Sequence, residues 1–171
     1  MIDKNKQWTQ DECKALVLNI ANRYGLTDLK FCVAERRIPG TFAVRMLRST
    51  GEVTSRRLSL AKWLFTDEYK GRGRKIICPE PVRPVDRLLV TLHECAHMII
   101  FVTNIDAFKK EGHGILFHRV ERQLDKEFGF APVYNRTPGY ASHYVDLNDG
   151  SKIDLLKQNA RRACFDGRED Y

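Results

Sequence analysis

Residues 85–102 read VDRLLVTLHECAHMIIFV, an unbroken run with neither glycine nor proline. Pro84 precedes it at the position where a helix tolerates a missing N–H, and Asp86 falls in the first turn, where a negative charge suits the helix dipole. Apolar residues surround the axis almost completely, which is the pattern of a helix buried in the middle of a domain. Inside that helix stand His93, Glu94 and His97. An uncompensated carboxylate beside two imidazoles is costly to bury. The predicted helix therefore needs a partner for its polar residues, and the fold is read outward from that need.

The spacing supplies one. Residues four apart on a helix are separated by about 40° around the axis and roughly 6 Å along it. His93 and His97 can thus aim at one point and hold a metal ion, and Glu94, one residue round, can take a proton from a zinc-bound water. Zinc lowers the pKa of that water to about 7. A catalytic zinc also needs a third protein ligand and an open position. Extension of the motif by glycine at 100 and histidine at 103 is ruled out by Ile100 and Thr103. His113, flanked by Gly112 and Gly114 at the start of another predicted helix, is the leading third ligand. His118 and a carboxylate such as Glu121 are the alternatives.

The run His93-Glu94-Cys95-Ala96-His97, then Phe101-Val102-Thr103-Asn104, then Glu111-Gly112-His113-Gly114 with Phe117 resembles the SprT-like metalloproteases, the family that includes the Spartan proteases. The similarity is specific over residues 85–120 and weaker back through Arg56-Arg57-Leu58-Ser59-Leu60 and the N-terminal helix. The resemblance implies a zincin-like α+β fold with an N-terminal helix, a small antiparallel sheet, the metal helix and a following helix that carries the third histidine. It implies one catalytic Zn2+ on His93, His97 and His113, with Glu94 as general base. It further implies a metalloendopeptidase acting on DNA-bound or DNA-crosslinked proteins, with single-stranded DNA as a partner. Two other readings are a DNA-associated module with a structural, four-ligand zinc and a zinc hydrolase of non-protein amides.

The remainder of the chain fits one α+β domain over residues 1–171, with the metal core at about 84–129. Thr9 and Glu12 form a capping box for a helix over residues 10–24. Residues 31–34, 41–47 and 53–60 read as three strands of an antiparallel meander. Trp63 and Phe65 fall in a short helical turn, and residues 76–78 in an edge strand. Residues 104–111 read as polar loop, 113–129 as an amphipathic helix, 131–150 as loop and 153–164 as a last helix. Tyr134, Tyr140, His143 and Tyr144 in that late loop are candidates for stabilising an oxyanion.

The net charge is +7, which favours polyanionic partners. Lys70-Gly71-Arg72-Gly73-Arg74-Lys75 places four cations in six residues, and Lys70, Arg72, Arg74 and Lys75 are candidate phosphate contacts. Arg45 lies opposite Val44 on its predicted strand, so the sheet has room for a basic outer face. The five cysteines are scattered and odd in number, against a disulfide framework or a cysteine zinc ribbon. No signal-peptide pattern and no apolar run of membrane-spanning length occur. The expectation is an intracellular protein, cytoplasmic or DNA-associated, not secreted, with no membrane partner and with its oligomeric state unspecified.

Overall fold

The computed structural model describes residues 6–36, 38–66, 68–71, 74–77, 82–134 and 141–154. The architecture is α+β, with four helices and three small sheets among these residues.

Helix α1, Gln10–Arg23, starts on the predicted capping box: the Thr9 hydroxyl accepts the Glu12 N–H at 3.2 Å and the Glu12 carboxylate accepts the Thr9 N–H at 2.9 Å. Its buried face, Cys13, Val17 and Ile20, packs against α2, Pro84–Thr103. Helix α2 is the centre of the domain. Leu88, Leu92, Cys95, Ala96 and Met98 are fully buried on it. The helix is anchored at its start by Asp86, whose carboxylate accepts the Arg83 backbone N–H at 3.0 Å and the Arg83 guanidinium at 2.6 Å. Truncating a side chain such as Leu92 to alanine costs about 2–5 kcal/mol through lost transfer energy and the cavity left behind.

The first sheet corrects the expected meander. Strands β1 (Lys30–Ala34), β2 (Gly40–Met46) and β3 (Val53–Ala61) are ordered β1-β3-β2, and β1 runs parallel to β3. The local β2–β3 hairpin forms antiparallel as its turn dictates. β1 then docks on the other edge of β3, where Phe31 and Val33 pair beside Leu58 and Leu60. The connection from β1 to β2 is stitched to the end of β3. Arg36 donates to the Ser59 hydroxyl at 2.6 Å, the Trp63 indole N–H donates to the Arg36 carbonyl at 2.9 Å, and the Ala61 N–H donates to the Pro39 carbonyl at 2.7 Å. Phe42 and Leu58 face α2; Lys30, Arg57 and Arg45 are exposed on the opposite face.

Four other segments differ from expectation. Residues 104–111 hold a helix, α3 (Ile105–Glu111), capped by the Asn104 side chain, which accepts the Ala107 N–H at 2.9 Å. Its polar composition hides Phe108, which meets Phe42 and Phe101 at ring distances of 5.8 and 5.3 Å. Lys70, Gly71, Arg74 and Lys75 belong to a two-strand ladder, β4 (Glu68–Gly71) with β5 (Arg74–Ile77), in which Lys70 pairs with Lys75. Arg72 lies outside the described residues. After α4 (Ile115–Glu127), the segment read as loop forms β6 (Phe130–Tyr134) and β7 (Ala141–Asp146). These join β8 (Lys152–Asp154) in an antiparallel sheet ordered β6-β7-β8. Pro132 is tolerated because β6 is an edge. Ile153, expected to open a last helix, instead pairs with Tyr144, and residues 155–164 lie outside the described residues. The expected turn at Trp63 is a single 3-10 turn, Lys62–Leu64, and Trp63 is part of the core.

Candidate metal centre

Three imidazoles converge where α2 meets the start of α4. The Nε2 atoms of His93 and His113 are 3.0 Å apart, and those of His97 and His113 are 3.2 Å apart. Together His93, His97 and His113 form a group able to hold a metal ion. His113 reaches it from the short link between α3 and α4. There Gly112 adopts φ +51°, a conformation that L side chains rarely take. The floor is Phe117, 1% exposed, with ring centroids 4.4 Å from His97, 4.7 Å from His113 and 5.0 Å from His93.

The donor chemistry tests whether a metal fits. Both short N···N contacts meet on one nitrogen of His113, which has a single in-plane site for a proton or a lone pair. A linear hydrogen bond aligns with one contact and leaves the other without a proton and a lone pair aimed at each other. A cation at the centre satisfies all three nitrogens. Ligands held tetrahedrally at about 2.0–2.1 Å from zinc lie about 3.3 Å from one another, near the spacings found. Protonation does not compete strongly at two of the three. Burial, reinforced by the neighbouring His93 charge, lowers the pKa of His97 to about 3 and of His113 to about 4.

His93 differs. Burial opposes its charged form, but the hydrogen bond from its Nδ1–H to Glu121, with the charges of Glu94 and Glu121, outweighs burial and raises its pKa. The Nδ1–Oε1 distance is 2.8 Å. Glu121 therefore sits behind His93, outside the three-nitrogen group. Its other oxygen accepts the Tyr134 hydroxyl at 2.5 Å and lies 3.4 Å from His118 Nδ1. His118 is likewise outside the group. Tyr134, considered above for an oxyanion, is committed to this carboxylate. Tyr144 is buried at 3% exposure, and Tyr140 lies outside the described residues. His143 lies beside Ser142, with its Nδ1 3.0 Å from the Ser142 hydroxyl.

Glu94 occupies the other flank of α2, 6% exposed. Burial raises its pKa, against the lowering effects of the His93 charge, the Phe42 backbone N–H and Arg36. The first residue of β2 lies directly on it: a Cβ added at Gly40 would come within 2.5 Å of the Glu94 Cγ and 2.7 Å of its Oε1. Ile38-Pro39-Gly40 has the composition of a turn, and nothing local in the sequence marks Gly40 as a neighbour of Glu94. Cys95 points into the core, where burial pushes its thiol pKa up, so it is no ligand here.

The side chains of Lys70, Arg74 and Lys75 lie outside the description, so the candidate phosphate contacts are placed only by strand register. Among the described residues no helix is long and apolar enough to cross a membrane. No family model, curated protein or solved structure matches the chain.

Proposed function

We propose that the chain is a zinc-dependent metalloendopeptidase of the SprT-like type, with a zincin arrangement of metal helix and sheet, acting on proteins held on DNA. The observation that carries the reading is the convergence of three histidine Nε2 atoms beside a buried glutamate on the same helix. When bound, zinc supplies a Lewis acid for the scissile carbonyl and makes water acidic near neutral pH. His93, His97 and His113 would hold it. Glu94 takes the proton of the attacking water and passes it to the leaving amine. Its raised pKa suits a group that must both accept and return a proton near neutral pH.

Two further features support the choice of substrate. β2 lies at the end of its sheet and pairs only with β3 among the described residues, and it runs beside Glu94. An edge strand next to the base offers backbone groups to an extended peptide, which favours peptides over other amides. The outer face of the same sheet carries Lys30, Arg45 and Arg57, exposed and of one sign, which suits a phosphate backbone. The structural-zinc reading requires a fourth protein ligand, and the group found among the described residues has three.

The test is proteolysis of a DNA-binding protein by the zinc-loaded chain, with and without single-stranded DNA. Cleavage that depends on DNA supports the whole reading. Cleavage independent of DNA retains the peptidase and discards the DNA role, and no cleavage by protein shown to hold zinc overturns the peptidase.

A further inference from the structure

Resting on the metal reading above, we propose that Glu121 is a positioning residue that fixes the ring of His93, and is itself fixed by Tyr134 from the third sheet. The geometry is a relay of single contacts. In the neutral ring that a metal ligand requires, the Nδ1–H of His93 donates to Glu121 Oε1 at 2.8 Å, leaving Nε2 as the lone-pair nitrogen that faces His113 at 3.0 Å. One hydrogen bond thus decides both the tautomer and the orientation of the ligand. Glu121 Oε2 is occupied in turn by the Tyr134 hydroxyl at 2.5 Å. The carboxylate is 4% exposed, so water does not compete for it.

Tyr134 reaches α4 by ordinary strand alternation: it shares a face of β6 with Phe130, 1% exposed in the core beside α4. The irregularity in the β6–β7 register falls on β7, where Ser142 is the extra residue. The Tyr134 ring is clamped by Arg122, 5.0 Å from its centroid, and by His118 at a ring distance of 4.6 Å. The sheet formed by β6, β7 and β8 therefore acts on the metal centre through one hydroxyl and one carboxylate, with no ligand of its own among the described residues.

Zn2+ affinity of the full chain, measured by competition with a chromogenic chelator, tests this. The parent binds one equivalent, and His113→Ala abolishes tight binding; failure of either arm removes the metal reading itself. With those arms intact, Glu121→Ala lowers affinity about 10- to 100-fold. Glu121→Gln, which keeps the volume and an acceptor but loses the charge, lowers it less. Urea unfolding of the zinc-free proteins accompanies the series. Should Glu121→Ala fail to fold, Glu121→Gln decides alone. Ring 15N spectra of the zinc-loaded protein give an independent readout: His93 is protonated at Nδ1 in the parent, and that proton exchanges faster in Glu121→Gln. Unchanged affinity and an unchanged His93 proton in a folded Glu121→Gln protein overturn the proposal and leave the metal site standing.

Discussion

The two flanks of the metal helix each bury a glutamate, and bury them almost equally: Glu94 is 6% exposed and Glu121, reaching in from α4, is 4% exposed. Their charges go opposite ways. Burial raises the pKa of Glu94, and the few favourable partners around it do not reverse that. Burial also opposes the ionised form of Glu121, but hydrogen bonds from His93, Tyr134 and His118 overcome it and the pKa falls. Donors, rather than depth, decide which carboxylate stays charged. One flank holds a carboxylate whose proton affinity is raised; the other holds a carboxylate whose charge is stabilised behind His93.

The largest expected effect tests that division of labour. Glu94→Gln retains zinc, as metal analysis of the purified protein shows, and loses hydrolysis by about 100- to 10,000-fold. Near-normal hydrolysis would remove Glu94 from the chemistry. Next is Gly40→Ala. The added Cβ meets the Glu94 side chain at 2.5 Å, so the carboxylate must move. Zinc content stays, and turnover falls by about 10- to 100-fold, the scale on which a misplacement of about 1 Å acts. Equal turnover would show that the β2 wall does not position the base.

Acid titration of the zinc-free protein sharpens the comparison between ligands. Unfolded histidines titrate near pH 6.5, whereas folded His97 and His113 hold no proton until about pH 3 and about pH 4. From about pH 6.5 down to about pH 4 the unfolded state binds more protons at these two sites, so they make stability fall as pH falls. His113→Asn removes one of the two titrations and flattens that slope, read by urea unfolding in chelator at a series of pH values. An unaltered slope contradicts the assignment. The smallest effect concerns Asp125, one turn beyond Glu121. Neither of its buried oxygens has a hydrogen-bond partner among the described residues. Burial, with the charge of Glu121, holds its pKa well above the usual carboxylate range. A raised folded pKa means stability lost as pH rises above about 4. Asp125→Asn therefore stabilises the protein at pH 7, on the order of 1 kcal/mol, and the gain vanishes near pH 4.

What the sequence made legible follows the range of the interactions. Helix α2, the α1 cap and the approach of His93 to His97 are local matters of spacing and capping; the helix and the cap form as read, and the two histidines lie in a group that could hold a metal ion. His113 was reachable because flanking glycines marked it at the start of a helix, and Glu121 only as an alternative carboxylate on that helix. Its place behind His93 was not legible, since that depends on where α4 lies against α2. Strand order was illegible for the same reason: the parallel pairing of β1 with β3 is set by a shared core, not by any turn. α3, β6 and β7 were hidden by polar, proline-rich and glycine-rich composition. Phe108 and Tyr144 inside them carry the packing.

The central claim is an open three-histidine zinc centre, and X-ray absorption at the zinc edge of the loaded full-length chain tests it most directly. Three imidazole nitrogens at about 2.0–2.1 Å and one further light atom from solvent are expected, unchanged in Glu94→Gln. A fourth imidazole, a sulfur or a protein carboxylate completing the shell would contradict it and make the zinc structural.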